Sequence, residues 1–164
     1  MSQHPVFPIA ITDDAQLLLC PCPGTKDADL SSSLQQLSQA NSGAVLTAMT
    51  SEELAANGVD AIGKTSVIFD MQWFHLPIED DTVPGEEWEA RFQGFLPRFK
   101  QLINSGVNLA IHCKGGSGRT GLIAARLLLE YGVELDEAIA RIRTVRPNAF
   151  NLEKQQSYIA QFAK

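Results

Sequence analysis

Apolar residues in this chain fall alternately into short continuous runs and into stretches with three-and-four spacing. The runs at residues 7–11 and 17–20, parted by Thr12, Asp13 and Asp14, predict a β-hairpin or a pair of edge strands, the second ended by Pro21, Pro23 and Gly24. Leu30, Leu34 and Leu37 recur at helical spacing between residues 29 and 40, and a core strand over 44–48 follows Gly43. Thr50 with Glu53 three residues later has the form of a capping box, which predicts a helix from 50 to the Asn57-Gly58 pair. Val59, Ile62 and Phe69 favour a helix over 59–69 against a strand over 65–69. The bulk of residues 73–78 and the Pro77 near their end predict another strand, and an acidic loop, 79–85, follows it.

Trp88, Phe92, Phe95, Phe99 and Leu102 define one face of a long helix, with Glu86 and Glu87 in its first turn. They read as core, and Pro97 among them predicts a kink or break. Val107, Leu109, Ala110 and Ile111 read as a short buried strand, and residues 122–131, apolar almost all round, as a central helix stopped by Gly132. Ala138, Ile139, Ile142 and Val145 mark a further helix ended by Pro147; Arg141, Arg143 and Arg146 fall on its solvated face, Arg146 being the one able to approach a pocket rim. A last helix runs from about Asn151. Its apolar stripe is Leu152, Ile159 and Phe162, with Gln155 on the same stripe, where an inward amide needs a partner. This alternation predicts one α/β domain over 1–164: a mostly parallel sheet flanked by helices on both faces, with ligands beyond the carboxyl ends of the strands.

The composition agrees with one compact domain: 164 residues, 45% of them hydrophobic. No apolar run approaches the roughly 18 residues of a membrane span, and the first residues lack a signal-peptide pattern, so the expected location is cytoplasmic. Three cysteines, two of them at 20 and 22, suit reduced thiols better than a disulfide frame. The net charge of −6 argues against general nucleic-acid binding. An anion must then be attracted locally.

The place for it is the loop from His112 to Gly121, between the buried strand and the central helix. Its glycines let the backbone curl so that N–H groups and the positive helix end converge on one point, which suits a tetrahedral anion. Cys113 would lie at the bottom of that cup, its thiolate favoured by those dipoles and by Arg119. The planar fork of Arg119 binds two phosphate oxygens at once, and five residues between Cys113 and Arg119 let Lys114, Gly115, Gly116, Ser117 and Gly118 wrap the anion. Thr120 places a hydroxyl beside the sulfur. His112 points away from the cup and orders the loop through the backbone. An acid for the leaving group must come from Glu79, Asp80 or Asp81, among which spacing does not choose, and Gln155 is the candidate to position water. The chemistry asks for no metal and no cofactor: His112 and Cys113 are adjacent on a strand, so they point apart and find no third ligand. A nucleotide loop of Gly-x4-Gly-Lys-Ser/Thr spacing is absent.

The Cys-x5-Arg-Thr loop with its preceding histidine resembles the cysteine-dependent protein tyrosine and dual-specificity phosphatases. Leu19-Cys20-Pro21-Cys22-Pro23-Gly24, His75-Leu76-Pro77-Ile78-Glu79-Asp80 and the pair Gly115-Gly116 extend the resemblance to the kinase-associated phosphatase branch. It implies a mixed sheet, a phospho-cysteine intermediate at Cys113, phosphate held by Arg119 and a general acid at Asp80. Gln155-Gln156-Ser157-Tyr158 is similar to a Gln-x-x-Tyr element of related sequences, which favours Gln155 over Gln156. The absence of a long tyrosine-recognition segment implies a shallow pocket open to several phospho-residues. Phosphoinositide phosphatases of the superfamily tend to carry a second lysine where Ser117 stands. The expected partner is a phosphorylated protein or peptide, acted on by a monomer with no nucleic acid or membrane involved. The alternatives are a phosphate-reading module without turnover and a phosphatase for phosphoinositide or RNA 5′-phosphate.

Overall fold

The computed structural model describes residues 3–163. Its elements are β1 (Phe7–Ala10), β2 (Gln16–Cys20), α1 (Leu30–Gln39), β3 (Ser42–Thr47), α2 (Ser51–Ala56), α3 (Ile62–Ile68), β4 (Gln72–His75), α4 (Glu86–Asn104), β5 (Asn108–His112), α5 (Gly118–Glu130), α6 (Leu135–Val145) and α7 (Glu153–Ala160). The strands form one sheet in the order β1-β2-β5-β3-β4, with β1 antiparallel to β2 and every other pairing parallel. β5 is central, so its carboxyl end opens where the chain must leave the sheet for α5.

Alternation along the strands divides the core in two. Leu17, Leu19, Leu46, Phe74, Leu109 and Ile111 pack with α4 to α7 on one face; Leu18, Cys20, Val45 and Ala110 pack with α1 to α3 on the other. Among the described residues no helix is long and apolar enough to cross a membrane.

Several boundaries differ from the pattern-based reading. The strand expected over 73–78 ends at His75, because Pro77 has no N–H to give the ladder; Leu76 and Ile78 still donate to Thr47 and Ala48 across the edge. The helix expected over 59–69 is confined to Ile62–Ile68, and the last helix opens at Glu153 rather than Asn151. Pro97 does not break α4, which runs unbroken for 19 residues. Pro97 is exposed on the solvent side, so the carbonyl it leaves without an amide partner meets water, while buried Phe92, Leu96 and Phe99 hold the helix to the sheet. The aromatic face of α4 is core as expected, with Trp88, Phe92 and Phe99 buried and Phe95 packed at the margin.

Candidate active site

The strand-to-helix crossing from Cys113 to Ser117 forms a cup whose backbone polarity is set from outside. Each carbonyl of residues 113–116 accepts a hydrogen bond from outside the cup: Cys113 from His112 Nδ1 (3.1 Å), Lys114 from the Cys22 N–H (3.1 Å), Gly115 from Arg146 Nη2 (2.8 Å) and Gly116 from Arg146 Nε (3.0 Å). In a planar trans peptide the carbonyl and the following N–H point in opposite directions. Holding four carbonyls outward therefore turns the N–H groups of residues 114–117 inward. The Gly116 N–H illustrates the result, donating to Cys113 Sγ at 3.2 Å. Thr120 donates its hydroxyl to the same sulfur at 3.1 Å, and Cys113 is buried. No side chain caps the N-terminus of α5, which leaves its first turn open to the cup. α5 begins at Gly118, four residues earlier than its apolar pattern suggests, and Gly121 in its first turn faces Ala149, where an added Cβ would stand 3.2 Å from the alanine Cβ.

Gly116 is required twice over. Its φ of +84° lies in the left-handed region, and a Cβ there would sit 2.6–2.7 Å from the Cys20–Pro21 peptide. The loop is thus seated directly on the turn after β2. Cys20, at the end of β2, and Cys22, in that turn, are free thiols, and burial pushes both up, Cys22 to about 12.

Arg119 is buried, and its five N–H donors can be counted. Nη1 gives one to Glu53 Oε1 (2.7 Å) and one to the Ile78 carbonyl (2.9 Å); Nη2 gives one to Glu53 Oε2 (3.0 Å). Glu53 thereby takes the end-on fork of the guanidinium. What remains is the Nε–H and the outer Nη2–H, a parallel pair along one edge that suits two oxygens of a tetrahedral anion. Burial works against the guanidinium charge, but Glu53, Cys113 and Asp80 outweigh it and hold Arg119 above its ordinary value. For Glu53, burial favours protonation, yet the bonds from Arg119 and Thr50 win and keep the carboxyl below the usual range.

The cup opens into a cavity of about 280 Å³ lined by Cys113, Lys114, Gly115, Ser117, Gly118 and Arg119 of the loop, together with Asp80, Asp81 and Gln155. Asp80 places Oδ1 3.6 Å from Arg119 Nη2, on a side chain 72% exposed. Asp81, at φ +60°, donates its N–H to Asp80 Oδ1 at 3.1 Å, and Thr82 closes the turn onto the Glu79 carbonyl. Glu79 lines a neighbouring hollow with Thr50, Glu52 and Glu53, and Asp80 borders both. Gln155 is buried, its Oε1 accepts the Leu152 N–H (3.4 Å), and its Nε2 lies beside Gly118; Gln156 turns away and donates to the Phe150 carbonyl. Among the described residues no three His, Cys, Asp or Glu side chains are grouped to hold a metal ion.

His112 is fully buried and does point away from the cup. Burial brings it down to about 4, so it is neutral at ordinary pH. Some long-range contacts around the cup escape sequence reasoning. Glu53 is legible as a capping residue, a role it keeps by accepting the Thr50 N–H, but no pattern connects it with a residue 66 positions away. Arg143 is exposed and Arg141 half-exposed, as a solvated face requires, and Arg146, the C-cap of α6, reaches the rim as expected; what the sequence does not give is their backbone partners. Arg141 reaches the Ala10 carbonyl, Arg143 the carbonyls of Ala149 and Phe150, and Arg146 lies over the Phe7 ring (4.4 Å) while bonding the loop. A helical wheel marks the apolar face and says nothing of what a long side chain can span.

Comparison with known proteins agrees with this geometry. A family described as "Polymorphic toxin system, DSP-PTPase phosphatase" matches residues 23–133. The tyrosine-protein phosphatase CDC14 of Candida albicans is 41% identical over 70 residues, 42% of this chain, and the match spans only 12% of that protein's length. Cyclin-dependent kinase inhibitor 3 of Rattus norvegicus is 28% identical over 166 residues, covering 95% of this chain and 76% of that protein. A crystal structure of kinase associated phosphatase, with its catalytic-site cysteine replaced by serine, superposes with a TM-score of 0.86 over 99% of this chain and 95% of the other; at 22% identity this likeness speaks for the fold.

Proposed function

The chain belongs to the DSP-PTPase phosphatase family, and from that premise we propose that it hydrolyses phosphomonoesters on proteins, phosphotyrosine and also phosphoserine or phosphothreonine, through a phospho-cysteine intermediate. Cys113 Sγ attacks phosphorus as thiolate, forming the S–P bond as the P–O bond to the leaving group breaks. The inward N–H groups of the loop and the free edge of Arg119 hold the equatorial oxygens, whose negative charge must be met as the transition state develops. Asp80 gives its proton to the leaving oxygen. The resulting carboxylate then takes a proton from a water positioned by Gln155, the new O–P bond forms, and Cys113 leaves as thiolate with the Thr120 hydroxyl donating to it. His112 supports the loop from behind. The reaction uses no metal or cofactor.

The observation that carries this reading is the pairing of an outward-held set of loop carbonyls with a guanidinium that keeps one edge free of protein partners and lines the same cavity as Cys113. The exposure of Asp80 supports its role, since an acid on an open turn reaches leaving groups of different size. Asp80 is favoured over Asp81 by its 3.6 Å approach to Arg119. We further infer a single domain over residues 1–164 working as a monomer in the cytoplasm, without nucleic acid or membrane.

Leaving-group dependence tests the acid. Asp80→Ala should lower kcat by about 100-fold on an alkyl phosphate, whose leaving oxygen needs a proton, and by less than about threefold on a p-nitrophenyl ester. An equal loss on both substrates, or the same selective loss in Asp81→Ala instead, would move the acid elsewhere.

A further inference from the structure

We propose that Thr47 and Trp73, neither of which lines the cup, are positioning residues for the phosphate loop: through His112 they hold the Cys113 carbonyl outward and so aim the Lys114 N–H at the bound phosphate. The inference rests on the reading of the cup as a phosphate site. Its basis is a chain of three hydrogen bonds with only one possible direction. At one end the Cys113 carbonyl can only accept, so the proton of His112 is on Nδ1. A neutral imidazole then has a bare Nε2, and the Thr47 hydroxyl 2.7 Å away must donate to it. That leaves the Thr47 oxygen free to accept, and it does so from Trp73 Nε1 at 2.8 Å, an indole N–H that can only donate. Both ends forbid reversal.

Strand register builds the chain. Thr47 lies opposite His112 on β5 and His75 on β4, and Trp73, two residues before His75, shares their face of the sheet. The indole is held there by stacking on His75 with ring centroids 5.0 Å apart, and His75 is anchored in turn to the Met49 carbonyl at 2.7 Å. Gly63 admits it: a Cβ at that position would stand 2.6 Å from Trp73 Cε3. All of this lies on the α1–α3 side of the sheet, behind the cup.

Removing the Thr47 hydroxyl while keeping its shape leaves Nε2 buried without a donor. If the ring proton moved to Nε2, the bare Nδ1 would face the Cys113 carbonyl and repel it, freeing the peptide that carries the Lys114 N–H. Thr47→Val should therefore lower kcat/KM on an aryl phosphate about tenfold and raise the inhibition constant of orthovanadate about as much, the worth of roughly one well-placed hydrogen bond. Thr47→Ser, which keeps the hydroxyl, should stay within about twofold of the parent, and Trp73→Phe should fall between, at about threefold. Long-range nitrogen–proton spectra of histidine-labelled protein should show the Nδ1–H form of His112 in the parent and its loss in Thr47→Val. Equal effects of Val and Ser, a melting-temperature change with no change in orthovanadate inhibition, or an Nε2–H form in the parent would each overturn the proposal. Absence of turnover in the parent would fall on the proposed function instead, since the histidine spectra and their response to Thr47→Val are read without substrate.

Discussion

One carboxylate, that of Glu53, completes the cap of a short helix and at the same time occupies the end-on fork of Arg119. The two tasks are separable by substitution. Glu53→Gln keeps the length and an acceptor for the Thr50 N–H but removes the negative charge and one of the two acceptors that orient the guanidinium. The free edge of Arg119 should then lose its fixed direction, with kcat/KM on an aryl phosphate falling by about tenfold or more and the unfolding free energy by about 1–2 kcal/mol, read by steady-state kinetics and denaturant titration. A loss of stability without a loss of kcat/KM would reduce Glu53 to its capping role. Gly116 makes the complementary point: its left-handed backbone and its seat on the Cys20–Pro21 peptide mean that the loop's shape depends on a missing side chain as much as on those present.

At the scale of elements, β5, the loop and α5 were legible because local signals agree with one another: a buried apolar run, glycines at the crossing and a Cys-x5-Arg spacing that makes chemical sense only at a strand-to-helix turn. The capping box of α2 was legible for the same reason, since both of its bonds are local. What escaped depends on residues far apart in the chain. Arg146, the C-cap of α6, bonds Gly115 and Gly116 thirty residues earlier and rests on Phe7 of β1, while Arg141 pins the same strand at Ala10. The break that Pro97 allows does not occur, because the lost hydrogen bond alone does not decide it and the packing that holds α4 on the sheet is not local. Arg146→Gln should release two loop carbonyls together. It is expected to lower kcat/KM by at least about tenfold and to weaken orthovanadate inhibition, measured side by side with Arg141→Gln, which should change neither by more than about twofold. Similar losses in both variants would mean that α6 acts on the fold and not on the loop.

Across the whole molecule, the two faces of the sheet have different work. The α1–α3 side carries the buried polar chain behind the cup, and the α4–α7 side carries the larger apolar core, locked by Arg126. That guanidinium lies between the rings of Phe92 and Phe162 and binds Glu89 and Glu130, which joins α4, α5 and the turn after α7, the helix that brings Gln155 to the cavity. The buried histidines give the fold a pH signature. His112, brought down to about 4 by burial, and His4, lowered by the same cause, bind protons more readily in the unfolded chain. Their contribution is complete above the unfolded value near 6.5 and is lost as pH falls from there toward 4, so unfolding free energy from urea titrations should decrease over that window by roughly a few kcal/mol. A flat or rising profile would contradict the burial of neutral His112.

The account turns on covalent chemistry at Cys113, and the most direct measurement is peptide mass spectrometry after the enzyme, turning over a p-nitrophenyl ester, is quenched rapidly in acid. The expected result is a phosphoryl group on the peptide that contains Cys113 and on no other. Turnover that continues while every Cys113 peptide remains unmodified, or a phosphoryl group carried by another residue, would contradict it.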